Sequence, residues 1–178
     1  MVGYALFDTA LSTCGVVWSR AGIIGVQLPE ADRAATDRRL RRRFPAALLT
    51  AELPIDVASA VSAMTRLLAT GDVDLGFVTI DVAEASEFHR KVWDVSRGIP
   101  PGSTMTYGEV AVAVGEPGAA RAVGQAMGFN PCPIIVPCHR VVAADGRPGG
   151  FSAGGGAVTK MKMLAIEGAS IAAQRTLF

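Results

Sequence analysis

Apolar positions in the first thirty residues gather into three short runs, at 2–8, 14–18 and 23–28, separated by polar or glycine punctuation. Each run has the length and β-branched content of a strand, and the short connections between them predict an antiparallel meander. The period then changes. A charged helix is expected over 30–44, ending before Pro45, and a second helix over 55–68, stopped by Gly71. The apolar run at 77–82 is expected as a further strand. Near residue 84 the composition shifts: Phe88, Val92 and Val95 form one helical stripe that leads to Pro100-Pro101-Gly102.

A domain boundary is placed at that shift, giving a sheet-and-helix unit over 1–83 and a mainly helical unit over 84–178. The second unit reads as a helix over 107–114, a turn at Gly115-Glu116-Pro117-Gly118, a helix over 119–127, an extended apolar strip, a glycine-rich loop and a last helix over 157–167. Two short helices joined by such a turn have the form of a helix-turn-helix. The fold class is therefore α/β in the α+β sense.

Arg38, Arg39, Arg41, Arg42 and Arg43 make the densest charge run in the chain. Leu40 and Phe44 stand four residues apart on one face, so the arginines read as the solvated side of an amphipathic helix rather than as a DNA-binding arm. The 178 residues are 50% hydrophobic and 19% charged, with a formal net charge of only +1, so any basic footprint for nucleic acid has to be local. No apolar run approaches the ~20 residues needed to cross a bilayer. The N-terminus lacks the basic, then apolar, layout of a secretory signal, and a cytoplasmic location is expected. Three cysteines, Cys14, Cys132 and Cys138, include no Cys-x-x-Cys pair, so reduced thiols are expected, with no cofactor and no metal site.

Four segments carry candidate chemistry. Thr106-Tyr107-Gly108-Glu109 fits a capping box, which sets Tyr107 at the first helical position. The helix holding Ala120, Arg121, Ala122 and Gly124 is poor in large side chains, which suits either tight internal packing or close approach to another surface. Arg121 is costly to bury without a partner. The segment from Asn130 to Val142 is fenced by Pro131, Pro133 and Pro137, a stiff frame for the thiol of Cys138, whose neighbour His139 could lower its pKa. Adjacent side chains of a regular strand point to opposite faces, so contact between the two requires a bend or a bridging water. Glu167, just before Gly168, opposes the dipole of the last helix. Either it is a solvated surface residue or it bonds an imidazole. Cys132 and Cys14 read as buried filler, and His89 as a rim residue.

Pro137-Cys138-His139-Arg140-Val141, with Asn130-Pro131 before it, resembles the signature of the O6-alkylguanine-DNA alkyltransferases. The Thr106–Glu109, Ala119–Gly124 and Leu164–Gly168 segments match the same family in order, so the resemblance spans 88–168. It implies that Cys138 accepts an alkyl group, that His139 is its base through a bridging water, and that Glu167 orients the imidazole. Asn130 corresponds to an asparagine that braces the active-site turn, Tyr107 to a phenol that stabilises the leaving guanine, and Arg121 to the arginine that fills the stack when the base flips. Thr106, Ala120, Ala122 and Gly124 fall on the DNA-binding helices, and Met127, Val141, Phe151 and Ser152 match positions lining the base pocket.

The implied partner is double-stranded DNA carrying O6-alkylguanine, bound through the minor groove by a monomer, with no membrane. O4-alkylthymine is a second candidate lesion. The stretch 152–156 is about two residues longer than the family's loop. No Cys-rich segment precedes the first strand, so the phosphotriester activity of adaptive-response relatives is not expected. Two rival readings use the same residues: a cysteine hydrolase built on Cys-His-Glu, and a non-catalytic lesion-binding helix-turn-helix protein.

Overall fold

A computed structural model of the chain describes residues 2–149 and 156–169. The three N-terminal runs form β1 (Gly3–Thr9), β2 (Ser12–Trp18) and β3 (Ile23–Gln27), paired antiparallel as expected. A two-residue strand, β4 (Leu48–Leu49), adds parallel to β1, giving the order β3-β2-β1-β4. Side chains of β2 alternate between two clusters. Cys14, Val16 and Trp18 enter the main core, while Val17 meets Tyr4 and Leu40 on the other face.

The opposite face is covered by α1 (Arg33–Arg43). Its start lies three residues later than expected because Asp32 caps it, accepting from the Ala35 amide at 2.7 Å. Leu40 is fully buried and Phe44 packs beside it, so the arginine run does face outward. α2 (Ile55–Thr70) buries Val57, Ala60, Met64, Leu67 and Leu68 along one stripe. It ends on Gly71, whose φ of 79° lets its amide close on the Leu67 carbonyl.

The strand expected at 77–82 does not form. Only Ile80 pairs, as an isolated bridge to Ile23. Arg97 binds the carbonyls of Leu75, Gly76 and Val78, at 3.5, 3.1 and 2.7 Å, so that the Val78 carbonyl is taken by a side chain rather than a ladder.

The second half runs α3 (Glu87–Arg97), β5 (Met105–Thr106), α4 (Tyr107–Ala113), α5 (Ala120–Gly128), a 3-10 turn over Cys138–Arg140, β6 (Val141–Val142) and α6 (Gly156–Ile166). The capping box is present in full, with Thr106 Oγ1 accepting from the Glu109 amide and Glu109 Oε2 from the Thr106 amide. Such a box is worth about 1 kcal/mol. β5 and β6 pair in parallel, tying the start of α4 to the segment after Cys138. Trp93 of α3 donates its indole N–H to the Ala126 carbonyl at 2.9 Å and fixes α5 from behind.

The extended strip expected before Cys138 is absent. Prolines at 131, 133 and 137 have no N–H for a ladder, and Ile134 takes a positive φ of 77°. The segment folds into a tight turn closed by Val136 N–H to Cys132 O at 2.9 Å. One buried cluster runs from Cys14, Val16 and Val26 through α2 and α3 to Val136, Cys138 and Val141, so the sheet packs against the segment that carries the thiol.

Candidate active site

The bend needed between Cys138 and His139 is supplied by the 3-10 turn. Cys138 N–H closes on Val136 O and Arg140 N–H on Pro137 O, both at 2.8 Å. With about three residues per turn, successive side chains leave in three directions. Cys138, His139 and Arg140 are all buried.

His139 and Arg140 meet on one carboxylate. α6 ends at Ile166, and the next residue, Glu167, turns inward with only 2% of its side chain exposed. Its Oε1 lies 2.9 Å from His139 Nε2 and 2.8 Å from Arg140 Nη2, while Arg140 Nε donates to Oε2 at 3.0 Å. The Gly102 amide also donates to Oε2, at 3.3 Å, and Arg140 Nη1 reaches the Ile99 carbonyl at 2.6 Å. Burial acts to raise the Glu167 pKa, but the bonds from His139 and Arg140 outweigh it and hold the group at about 2. The carboxylate is charged, and its unfavourable place at the helix end is compensated by these donors.

A carboxylate only accepts, so Nε2 of His139 carries the hydrogen and Nδ1 keeps the lone pair. Nδ1 is buried and has no hydrogen-bond partner among the described residues. Burial lowers the imidazole pKa, against the pull of Glu167, so His139 rests neutral. A neutral ring with one nitrogen anchored and the other carrying a lone pair is equipped to take up a proton.

The Cys138 thiol is raised above its ordinary pKa by burial, opposed by a hydrogen bond from Asn130 and the charge of Lys160. The sequence led us to expect histidine to lower it. In the structure the lowering groups are instead Asn130, Lys160 and the backbone amides of the turn. Asn130 is itself locked, donating to Val136 O and accepting from the Cys132 amide, both at 2.9 Å. Lys160 is fully buried, donates to Val141 O at 2.6 Å and lies 5.8 Å from the centre of the Tyr107 ring. Burial brings its pKa down to about 8, against the pull of Cys138. The Tyr107 phenol is raised by burial and then by the nearby Cys138, so it keeps its proton. Gly149, at φ 68°, packs on that phenol so closely that a Cβ there would sit 2.6 Å from Tyr107 Oη.

The family model for 6-O-methylguanine DNA methyltransferase, DNA binding domain, matches residues 87–169. A methylated-DNA–protein-cysteine methyltransferase from Mycolicibacterium paratuberculosis is 44% identical over 127 residues, 71% of this chain and 74% of its own. The protein of the same name from Methanothermobacter thermautotrophicus is 32% identical over 160 residues, 90% of this chain and 82% of its own. The chain belongs to the methylated-DNA–protein-cysteine methyltransferase family. Among solved structures, Mycobacterium tuberculosis OGT in complex with DNA superposes with a TM-score of 0.73 at 29% identity, covering 93% of this chain and 92% of that one. The O6-methylguanine-DNA methyltransferase of Pyrococcus kodakaraensis gives a TM-score of 0.71 at 28% identity, covering 95% and 100%.

Against that family, the structure gathers Cys138, His139, Glu167, Asn130 and Tyr107 into one site. Val141 is buried in the core, and its carbonyl accepts from Lys160. Met127 is buried, its sulfur 4.0 Å from Ser96 Oγ. Phe151 and Ser152 lie outside the described residues. On α5, Arg121 is exposed, and Ala120, Ala122 and Gly124 are half-buried. Thr106 spends its hydroxyl on the cap. The sequence reading gave no role to Arg140 or Lys160. Lys160 was detectable, since it stands at i of the inward stripe that continues with Met163, Leu164 and Glu167 at i+3, i+4 and i+7. Arg140 had no such signal, because nothing local tells which carboxylate it meets.

Proposed function

We propose that this chain reverses alkylation damage in duplex DNA by moving the alkyl group of O6-alkylguanine onto Cys138, and that each molecule does so once. The observation that carries the reading is the neutral, buried His139, anchored through Nε2 by Glu167, with an Nδ1 that has no partner among the described residues, next in sequence to the buried thiol of Cys138.

The chemistry follows from the groups present. His139 Nδ1 takes the Cys138 proton through one bridging water, and the imidazolium that forms is stabilised by the Glu167 carboxylate. Asn130 and Lys160 stabilise the thiolate meanwhile. The sulfur then attacks the alkyl carbon, forming a C–S bond as the C–O6 bond breaks, and the bonding pair moves into the purine. Tyr107 donates its phenolic proton to a ring nitrogen of the leaving guanine. The proton held by His139 then makes good that loss. The product is unmodified guanine and a thioether on Cys138. No group in the site can hydrolyse a thioether, so the protein is consumed.

The lesion must leave the duplex to reach a buried sulfur. α5 is the element we assign to the minor groove: Ala120, Ala122 and Gly124 allow close approach, and Arg121 takes the space of the flipped base. The unit over 84–178 carries DNA binding and chemistry, and that over 1–83 is its scaffold. No described helix is long and apolar enough to cross a membrane, and action on chromosomal DNA by a cytoplasmic monomer fits the reading.

Intact-mass spectrometry after incubation with O6-methylguanine duplex tests it. A single gain of one methyl, mapped to Cys138, is expected. A hydrolase would release many product molecules per protein, and a lesion-binding protein would gain no mass.

A further inference from the structure

We propose that Arg43 and the outer edge of β3 position the Cys138 nucleophile by holding the Asn130-Pro131-Cys132 turn. The inference rests on the alkyl-transfer reading and gives the N-terminal sheet a part in it.

β3 lies at the edge of its sheet, so one row of its backbone groups has no neighbouring strand. The row is taken up at one end by residues 79–81 and at the other by the segment before Cys138. At one end, Ile23 N–H donates to Thr79 O at 3.0 Å and Asp81 N–H to Ile23 O at 2.8 Å. At the other, Val26 N–H donates to the Pro131 carbonyl at 2.9 Å. Cys132 Sγ also approaches Ile23 O, at 3.8 Å. Two positions of the sheet edge, Val26 and Ile23, thus hold the segment that leads to the active site.

Arg43 bridges this seam from α1. Its Nη1 donates to Val26 O at 3.1 Å and to Gln27 Oε1 at 2.9 Å, and its Nη2 reaches Pro131 O at 3.5 Å. A planar guanidinium can hold two carbonyls at a fixed spacing, which a single ammonium cannot. Its neighbours in the run behave differently. Arg41 pairs with Asp37 and Arg39 lies near Glu30, both within the N-terminal half.

From Pro131 the path to the sulfur is short. Asn130, the preceding residue, accepts from the Cys132 amide and donates to Val136 O, and it helps to hold the Cys138 pKa down. Val136 O also accepts from the Cys138 amide. A shift of the Pro131 carbonyl therefore moves the group that holds the nucleophile, and in-line displacement is sensitive to small misplacements.

The test compares wild type with Arg43→Ala, Arg43→Lys and Arg42→Ala on two substrates, O6-methylguanine duplex and free O6-benzylguanine, together with amide hydrogen exchange. Arg43→Ala should slow both substrates by the same factor, about three- to tenfold. It should speed exchange at the Val26 amide while leaving β1–β2 amides unchanged. Arg43→Lys should recover part of the rate, and Arg42→Ala should match wild type. The salt dependence of duplex binding should stay as in wild type. An unaltered rate on O6-benzylguanine, or unaltered Val26 exchange, overturns the proposal. So does a loss confined to duplex with a shallower salt dependence, which would make Arg43 a phosphate contact. Absence of transfer in wild type would instead overturn the alkyl-transfer reading, and the exchange measurement would still decide whether Arg43 holds the seam.

Discussion

His139 Nε2 and Glu167 Oε1 meet at 2.9 Å with the two side chains 0% and 2% exposed, and the same carboxylate also binds Arg140. One buried charge therefore anchors both the base and the cation beside it. Removing one member of a buried pair typically costs about 3–5 kcal/mol, so the choice of substitution matters.

Glu167→Gln keeps shape and removes charge. It should slow transfer, because the imidazolium formed with the thiolate loses its counter-ion. His139→Ala, which removes the base, should slow it by about a hundredfold or more. Rates on free O6-benzylguanine check both, since that substrate needs no base flipping. Equal rates in all three proteins would remove the pair from the chemistry.

Stability against pH gives a separate test. Glu167 is held at about 2, below its ordinary value of 4.5, so the unfolded chain binds its proton more readily. Its contribution is fully present above about pH 4.5 and is lost as pH falls toward 2. Denaturant unfolding across that window should show a steeper acid loss in wild type than in Glu167→Gln.

Lys160 should affect reactivity and stability in opposite senses. Its charge lowers the Cys138 pKa, so Lys160→Met should move the alkylation profile of the Cys138 thiol to higher pH. Its own pKa is about 8 folded against 10.5 ordinarily, so the unfolded chain holds that proton more tightly. Wild-type stability relative to Lys160→Met should therefore rise between about pH 8 and 10.5. A thiol profile unchanged in the variant would remove Lys160 from the stabilisation of the thiolate.

The three thiols should separate by reactivity. Burial pushes Cys14 and Cys132 up to about 12, so neither should react with iodoacetamide at pH 8 while the protein is folded. Cys138→Ala should bind lesion duplex and transfer nothing, and Cys14→Ala should transfer normally. Peptide mapping after incubation with O6-methylguanine duplex reads the site. Methyl found on Cys14 would mean that the wrong thiol had been assigned.

Arg121 is exposed at the second position of α5, so its loss should cost little stability. Flipping a base costs a few kcal/mol of unstacking, and a side chain that fills the gap offsets part of that. Arg121→Ala should slow repair of duplex strongly and leave transfer from free O6-benzylguanine near wild type. Equal losses on the two substrates would count against gap filling.

Much of this was legible along the chain because the signals are local. Short apolar runs with polar punctuation mark β1 to β3, Gly71 marks the end of α2, the stripe of Phe88, Val92 and Val95 marks α3, and Thr106 with Glu109 fixes the start of α4. Prolines around Cys138 showed a stiffly held thiol, although they were read as an extended strip when their missing N–H groups demand a turn. Other features depend on partners distant in sequence. Arg97 binds the carbonyls of 75, 76 and 78 from more than eighteen residues away, and no local pattern records that. Glu167 could equally have been a surface carboxylate until the fold brought it to His139 and Arg140, 28 and 27 residues away. The arginine run is solvated as its spacing implies, yet Arg43 alone reaches residue 131. The sequence by itself determined which residue types could carry the chemistry. Tertiary structure decided which charges meet, because a buried ion pair is chosen by packing across the whole core.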